Sequence, residues 1–508
     1  MTKLKVGNNR KFLDFFSVFL FFIILWPILG LLVEGLNGLR SGSLDLGRDG
    51  FNQIKGTSLL LLLTGIFGGS LGTINGWILA NCRFKGRKLL RLAQLLPLAC
   101  PAYLLSAIVI DLGSIYGVRI HGMGWGVLIM ALTTYPYVFL LSTESFAKCG
   151  QSQLEACRSL GIGPWKSFQR IALPMAIPAI GAGIALMSME VINELGAVQL
   201  LNIPSISAGI FENWIAKNNP SGAIALAFIA LIIVLILVLY EKKLRQRSRR
   251  WSEGVTGGEA PQWYLKGVRK LLAQTIVLAP PLFTLGIPLY WTIINSGQIR
   301  QGLNIELLQL TMRSLVLGLI AAFITTFIAL FLAISKRWNK SKLVNSISFL
   351  SGIGYAIPGA VIALALLSFG NSTWNFPPIM LLIWGYSTRF LAVSKQGIDA
   401  ALERINPNID EAALSLGEKW LGVLRRIHLP LLKGPLIVGS LLVFVDTIKE
   451  LPLTFILRPF DFDTLSVRIF QYAGDERMAE SIIPSLLVLL LGLIASIALI
   501  PSLDYKKK

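Results

Sequence analysis

The stretch Ser314–Ser335 contains no charged residue, and neither do Ile224–Leu239 and Leu486–Ile500. About 20 apolar residues of helix cross the hydrocarbon core of a bilayer, so runs of this length dictate a membrane chain before any motif is considered. Twelve windows read as spans, at 13–35, 57–80, 90–111, 123–143, 175–199, 222–240, 271–293, 313–335, 345–369, 376–394, 432–456 and 481–501. The composition agrees: 54% of the residues are hydrophobic and 15% charged, against about 25% charged in soluble proteins. A mean hydropathy of +0.66 excludes both a disordered chain and an ordinary cytosolic enzyme.

The 508 residues carry a formal charge of +20, which suits either nucleic acid or a membrane surface. With an even number of spans both termini lie on one side, and that side holds 36 of the 47 Lys and Arg residues. The positive-inside rule places both termini in the cytoplasm. The basic residues occupy seven segments separated by apolar helices, and no stripe with interleaved aromatics suits a nucleic acid. The first span is too long for the apolar part of a cleaved signal peptide, with only Ser41-Gly42-Ser43 as a weak site downstream, and is read as a retained helix. Cys82, Cys100, Cys149 and Cys157 fall in a span or on the cytoplasmic side and imply no disulfide framework.

The two halves of the chain repeat at an offset of 256 residues. Residues 155–174 (EACRSLGIGPWKSFQRIALP) and 411–430 (EAALSLGEKWLGVLRRIHLP) share nine of twenty positions without a gap. The same offset pairs Glu190 with Asp446, Glu194 with Glu450 and Ser58 with Ser314, and one insertion aligns Pro101 with Pro358. The expected organisation is therefore a six-helix half at 1–240, a basic cytoplasmic linker at 241–270 and a second six-helix half at 271–508. Parallel repeats imply a pseudo-twofold axis along the membrane normal, with a pathway near it. Pro101 and Pro358, being repeat-equivalent, are candidate hinges.

The repeated segment reads as a short bent helical pair. Glu-Ala-(Ala/Cys) favours helix, Gly161 or Gly417 breaks it, and Leu-Pro marks the next membrane helix. Trp165, Phe168 and Ile171, like Leu421, Leu424 and Ile427, recur at helical spacing beside basic residues, which suits docking into a protein groove. A basic amphipathic helix could also lie on the headgroups. That alternative requires neither the Glu-Ala pair nor the glycine, whereas a docking element gives both a reason to recur.

Both segments resemble the EAA loop of ABC-importer membrane subunits, in which Glu-Ala-Ala is followed by a glycine and then Ile-x-Leu-Pro. The resemblance implies an all-α polytopic fold with two type I permease halves on one chain. It implies that Glu155, Ala156 and Gly161, and Glu411, Ala412 and Gly417, couple the membrane helices to a cytoplasmic ATPase; Cys157 stands where Ala is usual. It further implies two ATPase copies, an extracytoplasmic substrate-binding protein and a bacterial plasma (inner) membrane. Residues 449–487, beginning KELPLTFILRPFDFDTLSVRIF, resemble the fused permeases of ferric-iron importers, with fused thiamine permeases as the alternative.

Intramembrane acids are expensive and are candidates for function. Glu190 and Glu194, and Asp446 and Glu450, are each four residues apart, a spacing that shares one helical face, in the outer part of their spans. Four carboxylates near an axis suit a hard cation; alternatively they pair with Lys449 or other polar groups, or face external water. His121 and His428 have no partner at metal-ligand spacing, and no resident metal or cofactor is expected. The sequence contains no GxxxxGK(S/T) or HExxH, so nucleotide chemistry falls to a partner and the chain is not read as an enzyme. A secondary transporter also uses parallel repeats and buried acids, but it gives no reason for a repeated EAA loop.

Overall fold

The computed structural model describes residues 7–42, 44–148, 151–252, 263–302, 305–338, 344, 350, 352–371 and 376–498. Cys149, residues 253–262 of the expected linker, the first residues of the expected span 345–369 and the C-terminal lysines lie outside the described residues. Nearly everything described is helical. Among the described residues nine helices are long and apolar enough to cross a membrane, or ten if the pair Arg87–Ala99 and Ala102–Ile115, bent by 86°, is one span. Of the other two expected spans, one retains the apolar helix Gly359–Ser368 and the other is the long helix Pro378–Arg404.

Contacts divide the chain into two compact units. Unit 1 combines residues 1–43 with 308–467, and unit 2 combines 44–307 with 468–508. These units cut across the sequence halves. In unit 1 the first helix, α1 (Gly7–Ser41), packs against the helix Pro378–Arg404: Trp384 Nε1 donates to Ile23 O at 2.9 Å and Thr388 Oγ1 to Ile24 O at 3.2 Å. In unit 2 the helix Gly267–Ile294 is tied to first-repeat residues: Gln94 Nε2 donates to Val277 O at 2.7 Å and Trp291 Nε1 to Asp111 Oδ2 at 2.6 Å.

Within unit 2, α2 (Gly47–Asn81), α3 (Ala102–Ile115), α4 (Met123–Lys148) and α6 (Pro164–Asn193) form the packed centre, with α5 (Gln151–Ser159) between the last two in sequence. Gly68, Gly72 and Gly76 recur every four residues on α2, and at Gly72 a Cβ would meet Phe139 N and Tyr135 O at 2.8 Å. Without a hydrophobic drive between helices in lipid, small residues that let backbones approach supply the packing. α7 (Pro220–Ser252) and α8 (Gly267–Ile294) follow. The one strand pair among the described residues is a short parallel contact of β1 (Cys82–Arg83) with β2 (Trp263–Tyr264), which fixes the end of the linker to the end of α2.

Unit 1 is built on α9 (Ile305–Trp338), α10 (Pro378–Arg404), α11 (Pro407–Ser415) and α12 (Trp420–Lys449); unit 2 also takes the last helix, α13 (Met478–Ala498). Pro101 and Pro358 each stand in extended conformation immediately before a helix, with ψ of 146° and 138°. They therefore mark breaks, because the proline ring disfavours helix at the residue before it.

Candidate functional site

The two repeated loops have the same hydrogen-bonded ending. In the first, the amide of Ile162 donates to Cys157 O at 2.9 Å and that of Gly161 to Arg158 O at 3.0 Å; in the second, Glu418 donates to Ala413 O and Gly417 to Leu414 O, both at 3.1 Å. This is the Schellman pattern, which needs a left-handed residue just past the helix. Gly161 and Gly417 supply it with φ of +69° and +89°. Ser159 Oγ and Ser415 Oγ each donate back to the carbonyl of the motif glutamate, at 2.9 and 2.8 Å. The sequence thus stops α5 and α11 at equivalent points and turns the chain sharply.

Glu155, Ala156 and Gly161, and Glu411, Ala412 and Gly417, are all exposed. The leucine before each glycine is more so: Leu160 is 77% and Leu416 87% exposed. Cys157 and Ala413, on the opposite face, are buried. Both helices therefore present one acidic-to-apolar surface and anchor the other, a geometry suited to a protein groove.

Two expectations about these loops need correction. The membrane helix begins before Leu-Pro, at Pro164 and at Trp420, and runs continuously through it. Each proline is instead preceded by a π-turn, Phe168–Ala172 or Leu424–His428, where the ladder widens around the donor that proline lacks. Phe168 also leaves the docking stripe: it is 5% exposed, in a cluster with Trp77, Phe146 and Leu154. Trp165 at 54% and Leu421 at 41% remain exposed.

The anchoring chemistry differs between the copies. α5 is held by apolar packing of Leu154 in the Trp77 cluster. The residue equivalent to Leu154 in α11 is Asp410, which accepts from Arg337 Nε at 2.7 Å and Trp338 Nε1 at 3.3 Å, with His428 Nε2 also 3.3 Å away. Arg337 further donates to Leu402 O at 2.7 Å and Ile405 O at 3.1 Å, joining α9, α10 and α11. His428 therefore belongs to this anchor and is fully buried. Asp410→Ala is expected to loosen α11 and lower coupled transport several-fold. Leu154→Ala is expected to act through core volume instead, and hydrogen–deuterium exchange of residues 407–418 and 151–162 distinguishes the two. Protection unchanged in Asp410→Ala would refute the anchoring role.

Two of the four carboxylates, Glu194 and Glu450, occupy helix breaks. α6 ends at Asn193 and α12 at Lys449, leaving Glu194 and Glu450 extended, with ψ of 120° and 123°. Neither therefore shares a helical face with the acid four residues earlier, contrary to the spacing argument. Each caps the short helix that follows: Glu194 Oε1 accepts from Ala197 N at 2.9 Å and Glu450 Oε1 from Leu453 N at 3.2 Å. Glu450 is buried, and its Oε2 stands 3.2 Å from Arg389 Nε. Arg389 Nη1 donates to Ile357 O at 3.0 Å, beside Pro358. Counting Lys and Arg by loop places Arg389 in a cytoplasmic segment at 389–433; the structure instead buries it within α10, 2% exposed. Glu190 and Asp446, one turn earlier, are partly exposed, and Asp446 lies 3.2 Å from Lys449.

Among the described residues no group of three or more His, Cys, Asp or Glu could hold a metal ion. Burial pushes the Cys82 thiol up to about 12, with Arg87 pulling weakly the other way, so it is a poor nucleophile at neutral pH.

Residues 72–250 and again 325–499 match the family described as "Binding-protein-dependent transport system inner membrane component". The chain belongs to this family. It is an all-α polytopic permease of the ABC-importer class, carrying the family domain twice. The permease is 27% identical to the Fe(3+)-transport system permease protein FbpB 2 of Haemophilus influenzae over 84% of its own length and 85% of that protein's. It is 28% identical to the sulfate transport system permease protein CysT of Synechocystis over 46% of its length and 88% of the relative's. The CysT protein of Escherichia coli is 33% identical, over 28% of this chain and 56% of its own. The family description itself ties transport to a binding protein and places the component in the inner membrane.

Proposed function

We propose that this permease forms the pathway of an ATP-driven importer for ferric iron, delivered by an extracytoplasmic binding protein. It would receive the power stroke from two copies of a cytoplasmic ATPase, one on each EAA loop, and both termini would lie in the cytoplasm. The observation that carries the coupling role is the repeated pair of exposed helix ends, Glu155–Gly161 and Glu411–Gly417, each closed by a left-handed glycine. Two docking surfaces on one chain call for two partner copies, and the absence of a phosphate-binding loop in the sequence leaves hydrolysis to them. Ferric iron is favoured because the FbpB 2 likeness runs through both repeats.

In this reading the four acids divide by geometry. Glu194 and Glu450 set the helix breaks, whereas Glu190 and Asp446, partly exposed and repeat-equivalent, are the carboxylates for a cation pathway. The sulfate relatives support a second reading, an oxyanion, for which Arg389 and Lys449 would matter more. Uptake by the reconstituted complex, with ferric ion, sulfate and thiamine offered in turn, separates the readings. Ferric uptake is expected to require ATP and to fall at least about tenfold in Glu190→Gln/Asp446→Asn, and uptake of sulfate or thiamine alone would overturn the assignment.

A further inference from the structure

A cavity of about 570 Å³ opens beside the first loop, between the Schellman turn at Gly161–Ile162 and the linker's return at Trp263–Lys266. The indole Nε1 of Trp263 donates to Ile162 O at 3.3 Å and its ring lies 5.7 Å from Trp77, so the floor is fixed by packing. Arg158, Lys266 and Arg269 line the cavity, and no carboxylate does. Among the described residues none of these three cations is ion-paired with a carboxylate. Three exposed positive charges around one concavity leave a local potential that attracts an anion.

The cavity's position identifies the anion. α8 begins at its rim, and α8 is one of the apolar spans. Val268, at the rim, is 72% exposed, followed along one face by Leu271 at 65% and Leu272 at 57%. A site with cations at the mouth and an uncovered apolar helix face leading away from it matches a molecule with a phosphate at one end and acyl chains at the other. We propose that Arg158, Lys266 and Arg269 bind the phosphate of an anionic phospholipid, with its chains lying along Val268, Leu271 and Leu272. One bound lipid would join α5 to the start of α8.

Native mass spectrometry of the purified full chain, titrated with phosphatidylglycerol or phosphatidylcholine, tests this. Wild type is expected to retain phosphatidylglycerol preferentially, and R158Q/K266Q/R269Q to lose at least about tenfold of that affinity, since each basic residue near a lipid surface contributes appreciably. K419Q/R425Q/K433Q removes the same charge elsewhere and is expected to bind as wild type does. Equal retention of both lipids, or equal phosphatidylglycerol affinity in wild type and the R158Q triple variant, overturns the proposal. Full displacement of the lipid by inorganic phosphate also overturns it, because the site would then be one for a free anion. If the triple variant fails to fold, K266Q and R269Q are read singly, and each is expected to lose about threefold; no loss in either counts against the site.

Discussion

Glu450→Ala is expected to destabilise unit 1 by about 3–5 kcal/mol, the usual consequence of stranding one member of a buried ion pair. Its partner Arg389 is 2% exposed, so burial shields the guanidinium from solvent that could replace the lost contact. The double variant Arg389→Met/Glu450→Met is expected to recover most of the loss, because replacing both charges removes the desolvation penalty along with the attraction. Glu194→Ala provides the internal comparison. It removes the same type of cap, worth about 1 kcal/mol, at a position whose counterpart to Arg389 in the repeat is Thr133. Thermal unfolding of the three variants in detergent measures the ordering. A loss in Glu450→Ala no larger than in Glu194→Ala would show that the pair contributes little.

The second large effect concerns the turn glycines. Gly161→Val/Gly417→Val is expected to abolish co-purification of the ATPase and to reduce ATP-dependent uptake at least about tenfold, with the chain still inserted. At both glycines an added Cβ meets nothing within 4 Å, so crowding is not the cause. The cost arises from φ of +69° and +89°, which a β-branched residue resists and asparagine tolerates. Gly161→Asn/Gly417→Asn is therefore expected to retain most of the activity. If the valine and asparagine pairs behave alike, the left-handed turn does not set the docking geometry.

These two features were not equally legible in the sequence. The glycines could be read because a Schellman ending is local: the residues that make it lie within six positions, and the 256-residue repeat displays them twice. The Arg389–Glu450 pair joins residues 61 positions apart and leaves no periodic trace, so positional counting put Arg389 among cytoplasmic cations. Phe168 misled for a related reason, since helical spacing says which side chains share a face but not whether that face meets solvent or Trp77. The Gly68-Gly72-Gly76 row was visible as a four-residue spacing and carries the α2–α4 contact, yet apolar windows alone do not register it. Which helices become neighbours is the least legible of all, because in lipid every apolar face is equally content and association depends on fine packing.

The exchange of helices between the sequence halves has a consequence for how the protein is made. α1 leaves the ribosome long before its packing partner α10, which begins only at Pro378. At about 5–20 residues per second of synthesis, α1 waits on the order of tens of seconds in the bilayer before its neighbour exists. During that interval it has to avoid both degradation and pairing with first-half helices. Unit 2, conversely, closes only when α13 emerges, after all of unit 1 has been made. A nonsense mutation anywhere between α8 and α13 therefore leaves unit 2 without the helix that completes it.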